Sequence, residues 1–126
     1  MKKILALICC CVLIACNKNS SPAPKGPPKP LQIVVSNITT TLTIYSFSVV
    51  NQSSVKLIDI HSQTENKTYT VNVNPGDVLK VNYFLELEGL RPATNPVITV
   101  VCDGVIMATV TNDAGIISGA KYITVP

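Results

Sequence analysis

The sequence predicts an all-β domain: an antiparallel β-sandwich of immunoglobulin-like or related Greek-key type, with about eight short strands. Three observations carry this. The stretches "TYTVNV" (68–73) and "VLKVNYFLELE" (78–88) alternate apolar and polar side chains, as a strand with one buried face does. Turn signals separate the apolar runs at short intervals, among them Asn74-Pro75-Gly76-Asp77 and Asp103-Gly104. No stretch carries the 3.6-residue apolar period of a helix. A small closed barrel is the alternative architecture.

The elements follow in order. "LQIVV" (31–35) is a short aliphatic strand. "TLTIYSFSVV" (41–50) is rich in β-branched and aromatic residues. Its alternation slips near Tyr45-Ser46, which predicts a bulge or a change of partner there. A polar turn over 51–54 leads into "VKLIDI" (55–60). In 68–73, Tyr69, Val71 and Val73 share a face. In 78–88, Leu79, Val81, Tyr83, Leu85 and Leu87 share a face, and Phe84 is the one apolar residue on the other. "GLRPATNP" (89–96) reads as a loop. "VITVVC" (97–102) and "VIMATVT" (105–111) flank Asp103-Gly104, a dipeptide suited to a type I′ hairpin turn. "NDAGIISG" (112–119) reads as a break, and "KYITV" (121–125) as the last strand.

Residues 1–30 follow other rules. "ICCCVLIAC" (8–16) holds four of the five cysteines of this 126-residue chain. Adjacent cysteines with no second cluster fit neither a zinc site nor a disulfide framework. Lys2 and Lys3 precede an apolar run over 4–15, which is short of the about 20 residues a spanning helix needs. A basic start before a short apolar run describes a secretory signal peptide. That run ends in Leu13-Ile14-Ala15-Cys16, which resembles the lipobox of bacterial lipoproteins at all four positions.

The resemblance implies that Cys16 receives a diacylglyceryl group on sulfur and becomes the acylated N-terminus of the mature chain. Cys9, Cys10 and Cys11 then leave with the signal. Asn17, where an Asp would favour inner-membrane retention, leans toward the outer membrane. The implied organisation is a signal peptide over 1–15, a lipidated cysteine and tether over 16–30, and a sandwich domain over 31–126. The tether "NKNSSPAPKGPPKP" (17–30) contains five of the nine prolines, and a proline-rich segment of that length reaches roughly 40 Å.

Charge and motifs narrow the function. Residues 31–126 carry five basic and seven acidic side chains, so the domain lacks the positive field of a nucleic-acid binder. One histidine cannot make a blue-copper site, and no calcium loop or phosphate-binding glycine motif occurs. No cofactor or metal is expected. Asp59 and the single His61 share a strand face, an arrangement that can orient a base, but the plainer reading is an exposed strand end. Cys102 reads as a small buried apolar residue. Asn19, Asn37, Asn51 and Asn66 begin N-x-[ST] triplets, read as chance matches in a bacterial chain.

The expected function is a non-enzymatic, lipid-anchored domain that binds or supports something at the cell envelope. Its partners are membrane lipid through Cys16 and an envelope protein or glycan. Arg91 and Asn95 in the 89–96 loop, with the segment 113–119, are the candidate binding residues. The alternatives are an envelope enzyme using Cys102 and His61, and a secreted, non-lipidated protein.

Overall fold

Eight strands build two four-stranded antiparallel sheets in a computed structural model that describes residues 26–39, 43–87, 94–113 and 115–126. They are β1 (Lys29–Ser36), β2 (Thr43–Asn51), β3 (Lys56–Gln63), β4 (Lys67–Val73), β5 (Val78–Leu87), β6 (Val97–Cys102), β7 (Val105–Thr111) and β8 (Ile116–Thr124). One sheet has the order β4-β1-β6-β7 and the other β3-β2-β5-β8. The four outer strands have one neighbour each, so the sheets face each other as a sandwich and do not close into a barrel.

The topology has two equivalent halves. β1 pairs with β4 while the β2–β3 hairpin between them lies in the other sheet. β5 likewise pairs with β8 while the β6–β7 hairpin crosses back. In each half the fourth strand returns beside the first, the Greek-key move. The halves join where β1 meets β6 and β2 meets β5.

Strict alternation fills the space between the sheets. Leu31, Ile33 and Val35 of β1 and Ile98, Val100 and Cys102 of β6 face Tyr45, Phe47 and Val49 of β2 and Leu79, Val81 and Leu85 of β5. The aromatic members pack specifically: Phe47 stacks on Tyr45 at 6.3 Å and meets Tyr69 edge-on at 5.1 Å.

Two expectations about strands need correction. β2 runs against β5 in unbroken register, so its slip in alternation is not a bulge of its own. Thr43 takes the inward position and Ile44 the outward one. The bulges lie in the partner, β3, whose register with β2 shifts twice. At one of them His61 and Ser62 stand opposite the single Ser46, with Ser62 left-handed at φ 50°. The second correction concerns 116–119, which belong to β8 and not to a loop. Gly119 is inside the strand because its partner Tyr83 lies over it: a Cβ there would come within 2.6 Å of the tyrosine oxygen. At the other end of the domain, β1 begins at Lys29, two residues earlier than its apolar run, and the Pro30 carbonyl accepts the Asp103 N–H at 3.1 Å.

The start of β1 defines the near end of the sandwich. There the chain turns tightly. Asp103 and Gly104 both have positive φ (51° and 79°), as a type I′ turn requires. Gly76 at φ 79° follows Pro75, and the Asp77 N–H closes that turn on the Asn74 carbonyl at 3.1 Å. The Asn51 side-chain oxygen accepts the N–H groups of Ser53 and Val55, bracing the β2–β3 turn.

The far end carries the four other connections between sheets, and asparagine side chains hold them. Asn66, between β3 and β4, accepts the Ile38 N–H at 2.8 Å and donates to the Ile38 carbonyl at 3.4 Å. Asn112, after β7, is fully buried and donates to the carbonyls of Leu85 and Gly115 at 3.2 and 2.8 Å. The two clamps occupy equivalent places in the two halves. Asn37 donates to the Asn95 carbonyl at 3.1 Å. Tyr45 adds a half-buried hydroxyl pair, donating to the Glu65 carbonyl at 3.0 Å and meeting the Tyr69 hydroxyl at 2.9 Å.

Candidate functional site

The outward face of β3, β2 and β5 holds a shallow, open basin of about 180 Å³, lined chiefly by Ser46, Ser48, Asp59, His61, Asn82 and Phe84. Register explains how these residues meet. Ser48 stands between Asp59 and Asn82 in one cross-strand row, with Ala120 beyond Asn82. Ser46 and Ser118 flank Phe84 in the next. Small neighbours on both sides leave the half-buried Phe84 ring accessible at the centre of the face.

Polar groups around the ring are mutually oriented. Asn82 donates its amide to the Ser48 hydroxyl oxygen at 3.1 Å. The bulge aims the Ser62 N–H at the Ser46 hydroxyl oxygen, 3.0 Å away. Both serine oxygens thus accept from the protein, and each hydroxyl keeps an O–H able to donate. On the rim, Asp59 receives Lys56 at 2.5 Å on one oxygen and His61 Nε2 at 3.1 Å on the other. The Lys56 ammonium, bonded and nearby, holds the Asp59 carboxyl below the usual carboxylate range, and His61 adds to this.

The Asp59–His61 pair expected from sequence is therefore present, exposed, on an edge strand. His61 bonds through its ring to Asp59 and to no hydroxyl or thiol. Cys102 is elsewhere: it faces inward from β6 in the other sheet and is fully buried. Burial pushes its thiol up, with Asp103 adding and Lys29 opposing. Cys102 and His61 are not brought together. Asn95 is exposed at the far end, where its backbone carbonyl serves as the acceptor for Asn37. Arg91 and Cys16 lie outside the described residues.

Sequence reasoning missed Ser46, Ser48 and Asn82, because their adjacency exists only through register. Phe84 carried a signal, being the one apolar residue on the polar face of 78–88. Among the described residues no group of three or more His, Cys, Asp or Glu could hold a metal ion, and no helix is long and apolar enough to cross a membrane. The described chain is a two-sheet antiparallel β-sandwich, and the basin on its β3-β2-β5 face combines an aromatic ring with hydroxyl, amide and carboxylate groups. No protein-family model, curated protein or solved structure matches it.

Proposed function

We propose that this chain is a bacterial envelope lipoprotein whose sandwich is a non-catalytic binding or structural domain. The observation that carries the proposal is Leu13-Ile14-Ala15-Cys16 after a basic, apolar leader, followed at once by a proline-rich tether. Acyl chains on Cys16 supply the anchor. Each buried methylene contributes about 0.8 kcal/mol, so one chain holds marginally and two or three hold stably. Asn17 favours the outer membrane.

The tether joins the near end of the sandwich at β1. The far end, with Asn95, then faces away from the bilayer. The non-catalytic reading is supported by His61, whose ring bonds to a carboxylate and to no hydroxyl or thiol, and by Cys102, which is sealed in the core. In the proposed protein the partners are membrane lipid and an envelope protein or glycan.

Replacing the acyl acceptor tests this. Cys16→Ser is expected to leave an unprocessed precursor that takes up no labelled palmitate. Normal processing and labelling of that variant would refute the anchor.

A further inference from the structure

From the basin on the β3-β2-β5 face we infer a binding site for a neutral saccharide, one sugar ring of a longer glycan lying over Phe84. The inference rests on the reading of the sandwich as a binding domain and is independent of the lipid anchor.

The chemistry of the basin selects the ligand class. β2 and β5 are central strands, so their backbone N–H and C=O groups are engaged on both sides in the sheet ladder. Over β2 and β5, where the Phe84 ring sits, recognition must come from side chains alone, which suits a ligand lying on the face better than an extended peptide, which would dock on backbone groups at the β3 edge. The side chains present two serine O–H donors, the Asn82 amide oxygen as acceptor and the Asp59 carboxylate as a stronger acceptor. A polyol offers many hydroxyl groups that both donate and accept. The Phe84 ring offers an apolar platform for the C–H side of a sugar, which buries apolar area without displacing any polar partner.

Charge and size narrow it further. Lys56 on the rim is paired with Asp59, so an anionic ligand would meet a carboxylate whose own cation is engaged, while Lys80, two residues from Asn82 on the same face, lies over the Tyr122 ring. The Lys56–Asp59 pairing compensates the negative charge that a cationic ligand would need. A neutral ligand meets neither conflict. The basin's volume of about 180 Å³ is below the about 300 Å³ at which pockets for drug-sized molecules begin, so it admits a single ring. Its wide opening lets the glycan continue in either direction.

The face of the other sheet provides the internal control. The outward residues of β1, β4, β6 and β7 are Val, Thr, Ser, Gln, Asn, Pro and Ile, without an aromatic ring or a charge. Thr99 lies on that face.

The test is saturation-transfer difference NMR on the whole mature protein in detergent micelles, with maltotriose, cellotriose and chitotriose as neutral probes and trigalacturonate as the anionic one. Saturation is expected at the ring protons of at least one neutral probe. Affinity should fall roughly tenfold in Phe84→Ala, as removal of a central aromatic anchor does, and should recover in Phe84→Tyr. Asp59→Asn should weaken binding less, and Thr99→Val not at all. No transfer to any neutral probe, equal transfer to trigalacturonate, or binding indifferent to both Phe84→Ala and Asp59→Asn would overturn the inference. The Cys16→Ser chain, tested the same way, separates the two proposals. It should bind the glycan as well as the parent does, even though it is not anchored.

Discussion

At the near end of the sandwich the chain turns largely through bonds between neighbours in sequence, and at the far end its crossings between sheets are held by side chains from distant parts of the chain. The near-end turns over 51–54, 74–77 and 103–104 are closed by local hydrogen bonds and by left-handed residues at Ser54, Gly76, Asp103 and Gly104. The far-end connections link β1 to β2, β3 to β4, β5 to β6 and β7 to β8, and each must span the sheet separation of about 10 Å. At the near end only 74–77 makes that crossing, from β4 to β5, in a four-residue turn closed on itself. Asn66, Asn112 and the Tyr45–Tyr69 pair hold the far-end segments by reaching across. Local chemistry thus largely fixes the end where β1 begins, while long-range side-chain contacts fix the opposite end.

This difference predicts where the domain is vulnerable. The largest effect is expected at Asn112, whose fully buried amide satisfies two carbonyls. Asn112→Ala leaves both without that donor and should cost about 2–4 kcal/mol, read by urea denaturation. Asn112→Asp should be no milder, because a buried carboxylate cannot donate and is itself costly to desolvate.

Tyr45→Phe comes next, at about 1–2 kcal/mol, since it removes the hydroxyl shared by Glu65 and Tyr69. The same hydroxyl sets an alkaline limit. Burial first, then the bond to Tyr69, raises the Tyr45 phenol well above its ordinary value of 10.0. The folded state therefore keeps the proton at a pH where the unfolded chain loses it. This contribution is complete below about pH 10 and declines as pH rises from there toward the folded pKa. Cys102 acts in the same direction from its own lower starting point, because burial raises its thiol too. Stability measured between pH 9 and 11 should fall, and should fall less steeply above pH 10 in Tyr45→Phe than in the parent.

Asn66→Ala should cost about 1 kcal/mol, the usual worth of such bonds where solvent can partly replace them. The near end should respond mildly and with the opposite sign. Ser54 has φ 60°, and Ser54→Gly relieves a left-handed non-glycine residue, so it should stabilise by about 0.5 kcal/mol. If Asn66→Ala and Asn112→Ala were both neutral, the contrast between the ends would be wrong.

The same contrast explains what was legible in the sequence. Asn74-Pro75-Gly76-Asp77 and Asp103-Gly104 announce their turns because the information is local. The strands over 68–73 and 78–87 announce themselves through period two. The far-end clamps do not: Asn66 and Asn112 are ordinary polar residues until the fold brings Ile38 and Leu85 to them. Asn37, Asn51 and Asn66, three members of N-x-[ST] triplets, all have structural side-chain bonds that the triplet does not hint at. β8 was hidden for the same reason. Gly119 looks like a chain break until Tyr83 is seen over it. Of the basin, the Asp59–His61 pair was legible through spacing and Phe84 through its misplaced hydrophobicity, while Ser46, Ser48 and Asn82 required the β2–β5 register.

The central proposal is that the near end is the membrane end, anchored through acyl chains on Cys16. Intact-mass and N-terminal peptide mass spectrometry of the protein taken from bacterial membranes tests it most directly. The account predicts a chain that begins at Cys16, with a diacylglyceryl thioether on its sulfur and an acyl group on its amine. A chain that begins at any other residue, or a Cys16 without added lipid mass, would contradict it.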